Sequence, residues 1–265
     1  MSLAVEIAVQ DVAGLEVAAL GGADRVELCT DLARGGLTPP PDLVEQCVVR
    51  AAGLVAARDA KPHFDVHVLI RSRAGEVDFL ARPAEFAYTS DEIARMARQA
   101  EETVTAGAAG VVLGALTADG DLDVPAIETV RDAALRAAQS ALRGVHLTFH
   151  RAVDALDGRE QRAQAVRDLL VLGFHRVLSS GGAARALEGA EDLGAMVEAA
   201  EGLLDVCAGG GVRPADVADL AARAGVTDVH LSARRRPGAP VETGAPDTET
   251  DPAVVTAAVD AAGEQ

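Results

Sequence analysis

The residues of this chain with the most chemistry sit at every second position of otherwise apolar runs. In VELCT, Glu27 and Cys29 alternate with Val26, Leu28 and Thr30, and in FDVHVLIRSR, His67, Arg71 and Arg73 alternate with Val66, Val68 and Ile70. In HLTFHR, His146, Thr148 and His150 alternate with Leu147 and Phe149, and in DVHLSA, His230 and Ser232 alternate with Val229 and Leu231. Carboxyl and imidazole groups are the residue types of general acid–base catalysis, so Glu27, His67 and His150 are candidate catalytic residues. Asp154, in the HRAVD continuation, joins them. Guanidinium forks bind carboxylate or phosphate in two-point fashion, which makes Arg71, Arg73 and Arg151 candidate anion ligands. The run CAGGGVRPADV is a strand, a glycine turn and a helix start. The backbone N–H groups of Gly210 and Gly211 are thereby candidates for an anion site, with Ser180, Gly181 and Ser232 as further donors.

Other chemistries are disfavoured. His63/His67 and His146/His150 have the spacing of a helical metal chelate, but on a strand four residues span about 13 Å, too far for one ion. Cys29 with a second thiol would suit Cu(I), although a small buried cysteine also serves as a mere hydrophobe. Lys61, the only lysine, precedes a strand and so falls at the wrong end for Schiff-base chemistry. Neither a GxSxG elbow nor a Walker loop is present.

The elements that must position these groups alternate in type. Strand-like runs occur at 3–9, 25–30, 64–70, 110–116, 145–150, 176–180, 203–209 and 228–232, separated by alanine-rich helical segments. Alternating strands and helices imply parallel strands joined by right-handed crossovers. Eight units in 265 residues predict an α/β fold, a (β/α)8 TIM barrel forming a single domain over 1–265. A doubly wound sheet would have central strands apolar on both faces; the His, Arg and Glu of the second face suit a barrel lumen. Two long loops, 71–89 and 233–252, leave the C-terminal ends of strands 3 and 8, where barrels build their sites. The second, rich in Pro, Gly, Thr and acid, is expected to be mobile or weakly ordered.

Composition narrows the partners. A formal charge of -17 disfavours nucleic acid and anionic membranes, and no apolar stretch approaches a membrane span. Three widely separated cysteines, Cys29, Cys47 and Cys207, are not a disulfide framework. The start MSLAVEIAVQ lacks a basic, cleavable leader. A cytoplasmic location is expected.

GADRVELC, GGLTP, VLIRSRAG, YTSDEI, GALTADGDLD, LTFHRAVD, LGFHRVLSSGG and GGGVRP, in this order between residue 3 and about 235, resemble the CutC family of copper homeostasis proteins. The resemblance implies a cytoplasmic TIM barrel, a homodimer or larger homo-oligomer, and copper handling with Cys29 as a Cu(I) ligand. It departs where the family's RPRGG is RSRAG, with Ser72 and Ala74, and where FHRAFD is FHRAVD. Arg71, Arg73, His150, Arg151 and Asp154 are kept. Three readings stay open: a copper-handling protein binding Cu(I) through Cys29, a barrel enzyme acting on a small anionic substrate, such as a phosphorylated one, by acid–base chemistry, and an oligomeric scaffold with no chemistry. A soft Cu(I) site has no use for two arginines beside a histidine, because cations repel a metal.

Overall fold

The computed structural model describes residues 3–75, 82–234 and 248–263. Most of the acidic loop after strand 8, residues 235–247, lies outside them, as do 76–81 of the loop after strand 3.

Eight parallel strands close a barrel in sequence order: β1 (Ala4–Val9), β2 (Arg25–Leu28), β3 (Asp65–Leu69), β4 (Gly110–Leu113), β5 (His146–Phe149), β6 (Arg176–Ser179), β7 (Asp205–Gly209) and β8 (Asp228–Leu231). Each lies within the run expected for it. The helices are α1 (Val12–Leu20), α2 (Pro41–Ala57), α3 (Ser90–Thr105), α4 (Val124–Ser140), α5 (Gly158–Val171), α6 (Ala190–Ala200), α7 (Val217–Ala224) and α8 (Pro252–Gly263).

The alternation sorts each strand into an outer and an inner face. Val26, Leu28, Val66, Val68, Ile70, Leu147, Phe149, Val229 and Leu231 join the large core cluster between strands and helices. Burying each such side chain contributes about 1.5–3 kcal/mol, and Phe149→Ala would lose about 3–5 kcal/mol because a cavity would remain. Helix starts are fixed locally. Thr89 and Glu92 form a capping box at α3, and Asp11 and Asp123 accept from backbone N–H groups at the starts of α1 and α4. Such caps are worth about 1 kcal/mol.

Register decides the height of each inward side chain. Glu27 pairs with His67, His67 with Gly110, and Gly110 with His146. Strands lean about 36° from the barrel axis, so residues side by side in register sit at successively different levels. The row that begins at Glu27, near the C-terminal mouth, ends at His146, near the opposite face. The ring centroids of His67 and His146 stack at 5.0 Å.

Candidate active site at the mouth of the barrel

A pocket of about 260 Å³ opens where the C-terminal ends of the strands converge. Glu27, Arg71, His150, Arg151, Gly210, Gly211 and Ser232 line it, together with His230 and Arg234. Its apolar walls include Leu69, Phe86, Leu178 and Val212.

Glu27 reaches the pocket from β2. Burial pushes its carboxyl up to about 7, with His230 and Arg176 pulling it down and Glu6 pushing it up. Its Oε2 is buried and has no hydrogen-bond partner among the described residues. At neutral pH this carboxyl is divided between acid and base, the condition that suits proton transfer.

His150 ends β5. Its Nδ1 accepts the N–H of Ala152 at 3.2 Å, which places the ring proton on Nε2. Burial, reinforced by Arg71, lowers its pKa to about 3. It is therefore a neutral donor of fixed direction, and its buried Nε2 has no partner among the described residues.

The arginines are each held from behind by an acid. Arg71, 2% exposed, donates to the Gly35 carbonyl at 2.9 Å, lies 3.9 Å from Glu85 and covers the Phe86 ring at 5.5 Å. Arg151 Nε donates to Asp154 at 2.8 Å and its Nη2 to Ser180 Oγ at 3.0 Å. Arg234 Nε lies 3.6 Å from Glu249. A guanidinium carries five donors in a rigid fork, so a backing acid can fix its orientation without using them all. Gly210 lets Arg151 lie against the backbone: its φ is +109°, and a Cβ there would stand 2.9 Å from Arg151 Cζ.

A family model for CutC matches residues 3–235. The chain belongs to the CutC family. A CutC family protein of Agrobacterium fabrum is 40% identical over 228 residues, 86% of this chain and 78% of the relative. One from Sinorhizobium medicae is 37% identical, covering 86% and 80%. The crystal structure of CutC from Streptococcus agalactiae, whose name associates it with copper homeostasis, superimposes with a TM-score of 0.72 at 26% identity, covering 87% of this chain and 98% of that one.

Within this CutC fold, six residues expected at the site stand elsewhere. His67, one level below Glu27, lines a separate cavity at the opposite end with Arg25, Lys61, His146 and Arg176; burial and Arg176 hold its imidazole neutral. Asp154 accepts from Ser179 Oγ (2.6 Å), Ser180 N (3.0 Å) and Gly182 N (3.2 Å) as well as from Arg151. It ties the loop after β5 to that after β6 and aims Arg151. Ser180 belongs to the same knot. Gly181 donates its N–H to Ser179 Oγ at 2.8 Å and packs on Gly189. Arg73 turns away from the pocket, donating to the carbonyls of Glu85 (3.1 Å) and Ala87 (2.9 Å) and pairing with Glu92 at 3.3 Å. It straps down the segment that supplies Phe86.

Cys29 is on the lumen side but does not line the pocket. It is fully buried with Leu69 and Val112, and Leu32 packs on them. Its Sγ faces the Val9 carbonyl at 3.8 Å. Burial, with the Glu27 charge added, pushes the thiol well above its ordinary value, against the thiolate that Cu(I) requires. Among the described residues the grouping with metal-ligand proximity is Glu6, Glu27 and His230, two hard carboxylates and an imidazole with no sulfur. These surroundings do not fit a Cu(I) site built on Cys29.

The helix start after β7 also differs from the simple anion cradle. Asp216 already occupies it, accepting from Arg213 N at 3.0 Å and from Arg185 at 2.8 Å. Gly210 and Gly211 still form pocket wall. His230 and Arg234 were the residues hardest to place from sequence. His230 shared the alternation of β8, whereas Arg234 is one of three consecutive arginines with no pattern to single it out. Among the described residues no helix is long and apolar enough to cross a membrane.

Proposed function

We propose that the pocket at the barrel mouth binds a small anionic, phosphate- or carboxylate-bearing substrate and moves a proton on it. The observation that carries this reading is the convergence of Arg71, Arg151 and Arg234 around Glu27, whose buried Oε2 has no partner among the described residues. Glu27 is the proton acceptor. His150 donates a fixed hydrogen bond through Nε2 to oxygen charge as it develops, the kind of preorganised donor that stabilises an oxyanion. The guanidinium forks hold the anion, and the apolar walls keep water from competing. A cationic pocket on a chain of charge -17 selects anions locally that the rest of the surface repels.

Inorganic phosphate is the direct probe. Titration followed by 31P NMR should show binding that weakens about tenfold or more in Arg151→Met and Arg234→Met. Equal affinity in the native protein and both variants would sink the reading.

Copper homeostasis, the role in the family's name, is the second reading. It requires Cys29 to become accessible. A Cu(I) titration against a competing chelator decides it: affinity abolished by Cys29→Ala would restore the copper role, and unchanged affinity would remove Cys29 from it.

A further inference from the structure

Beneath the pocket, the floor carries a second titratable group that anion binding does not use. His230 Nδ1 lies 2.7 Å from Glu6 Oε1, while Glu6 Oε2 faces Arg25 Nε at 2.9 Å and Arg176 Nη1 at 3.5 Å. Burial opposes the charge of Glu6, but the His230 hydrogen bond and the two arginines outweigh it and hold the carboxyl well below its usual range. Burial of His230 opposes its charge, but the hydrogen bond to the ionised Glu6 and the charge of Glu27 outweigh it and raise the imidazole above its ordinary value. With Nδ1 turned down to Glu6, Nε2 is the ring nitrogen left for a ligand. One potential ligand atom from each of Glu6, Glu27 and His230 lies within 4.8 Å of the others. A proton donor and a proton acceptor thus share one floor, close enough to address neighbouring atoms of one molecule.

The same three residues could be read as a metal site. However, both oxygens of Glu6 are already engaged by cationic partners, and a metal ion there would lie beside two guanidinium groups. The arrangement is that of a proton site. The lining of the pocket includes neither lysine nor cysteine, so chemistry through a Schiff base or a thiolate has no group to perform it. At about 260 Å³, the pocket lies just under the common range of roughly 300–1,000 Å³, which favours a compact substrate.

We propose that Glu27 and His230 are the base and acid of a 1,2-proton shift, and that the substrate is a small phosphorylated 2-hydroxy carbonyl compound interconverted between its aldehyde and ketone forms. This rests on the anion-binding reading above. Glu27 takes the proton from the carbon beside the carbonyl, and the C–H electron pair becomes the C=C bond of an enediol. The carbonyl π pair moves onto oxygen, which takes a proton from His230. Return of the Glu27 proton to the neighbouring carbon, with loss of the other hydroxyl proton to His230, completes the shift. Both groups end as they began, and no oxidant, reductant or co-reactant is consumed. Glu6 is a positioning residue, holding the His230 tautomer and charge.

The test is hydrogen–deuterium exchange in 2H2O, followed by 1H NMR, with glyceraldehyde 3-phosphate, erythrose 4-phosphate and ribose 5-phosphate. Protein-dependent loss of the C2 proton is expected with at least one. It should fall about 100-fold or more in Glu27→Gln and in His230→Gln, which general acid–base catalysis predicts, and should be indifferent to EDTA. Circular dichroism melts of both near-isosteric variants check that they remain folded. Absence of exchange with all three compounds would overturn the proposal, as would full exchange in both variants. Loss of exchange on chelation, restored by Mn2+, would turn the trio into a metal site. If phosphate still binds at the arginines while no exchange occurs, only this reaction fails. If neither is seen, the anion-binding reading falls with it.

Discussion

At the lower end of the lumen, Glu6 and Asp228 face Arg25 and Arg176, and each acid has an arginine against it. The His67 and His146 rings stack alongside, their imidazoles held neutral chiefly by burial. At the upper end the same residue types are gathered differently. The arginines are tied to acids that lie behind them, and the groups aimed inward, Glu27 Oε2 and His150 Nε2, have no partner among the described residues. Buried atoms without a hydrogen-bond partner occur at the lower end too, His146 Nδ1 among them; what differs is that the carboxylates below are matched by arginines, whereas Glu27 Oε2 above is left over, which is costly for structure alone. The same alternating strands therefore build a plug at one end and a reactive pocket at the other.

This contrast can be broken by mutation. The largest effect belongs to the plug. Glu6→Ala strands Arg25 and Arg176 with Asp228 alone and should cost about 3–5 kcal/mol in urea unfolding, as breaking a buried pair does. A loss below about 1 kcal/mol would mean that the plug is not a matched network.

At the mouth the sign reverses. The folded pKa of Glu27, about 7, stands above the ordinary value of 4.5. Its contribution is fully present below about pH 4.5 and is lost as the pH rises through 7. Above that window the native protein carries a penalty on the order of 3 kcal/mol. Glu27→Gln should therefore be more stable than the native chain at pH 8 and nearly equal at pH 4, as measured by denaturation at both. A variant less stable at pH 8 would make Glu27 a structural residue like Glu6.

Gly210→Ala sharpens the comparison at the mouth's backbone. With φ at +109° and Arg151 in the way, alanine should cost about 1–3 kcal/mol and weaken phosphate binding through displacement of Arg151. Intact phosphate affinity would show that Arg151 does not depend on this close approach. Thr89→Ala, at the cap of α3 and outside both regions, should cost about 1 kcal/mol and leave phosphate binding unchanged. A change in phosphate binding there would mean that the Arg73 strap on Glu92 reaches the pocket.

Much of the barrel could be read directly. Period-two alternation marked both faces of β2, β3, β5 and β8, and the capping box at Thr89 marked the start of α3. Arg71, His150 and Ser232 stand at or near the upper ends of their strands and Arg151 on the loop that follows, and all four line the pocket, as does Glu27 from a layer deeper. His67, expected a layer deeper but still among the catalytic candidates, lines the cavity at the opposite end, because alternation gives the face of a side chain but not which end of the barrel it serves. Asp154, Arg73 and Ser180 have the right chemistry for a site, but their hydrogen bonds run to neighbouring loops. No local pattern distinguishes a carboxylate that aims an arginine from one that meets a substrate.

The sequence by itself determined the order of the units, the closure expected of eight of them, the face of each strand and the family. These are local or counting properties, set by side-chain alternation, cap chemistry and crossover handedness. Only the tertiary structure decided which inward groups find a partner. The tilt of the strands sets His67 one level below Glu27, brings Glu6 of the first strand against His230 of the last, and encloses Cys29 among apolar side chains. Partnership across the barrel depends on register and tilt acting together, and neither is written in any single strand.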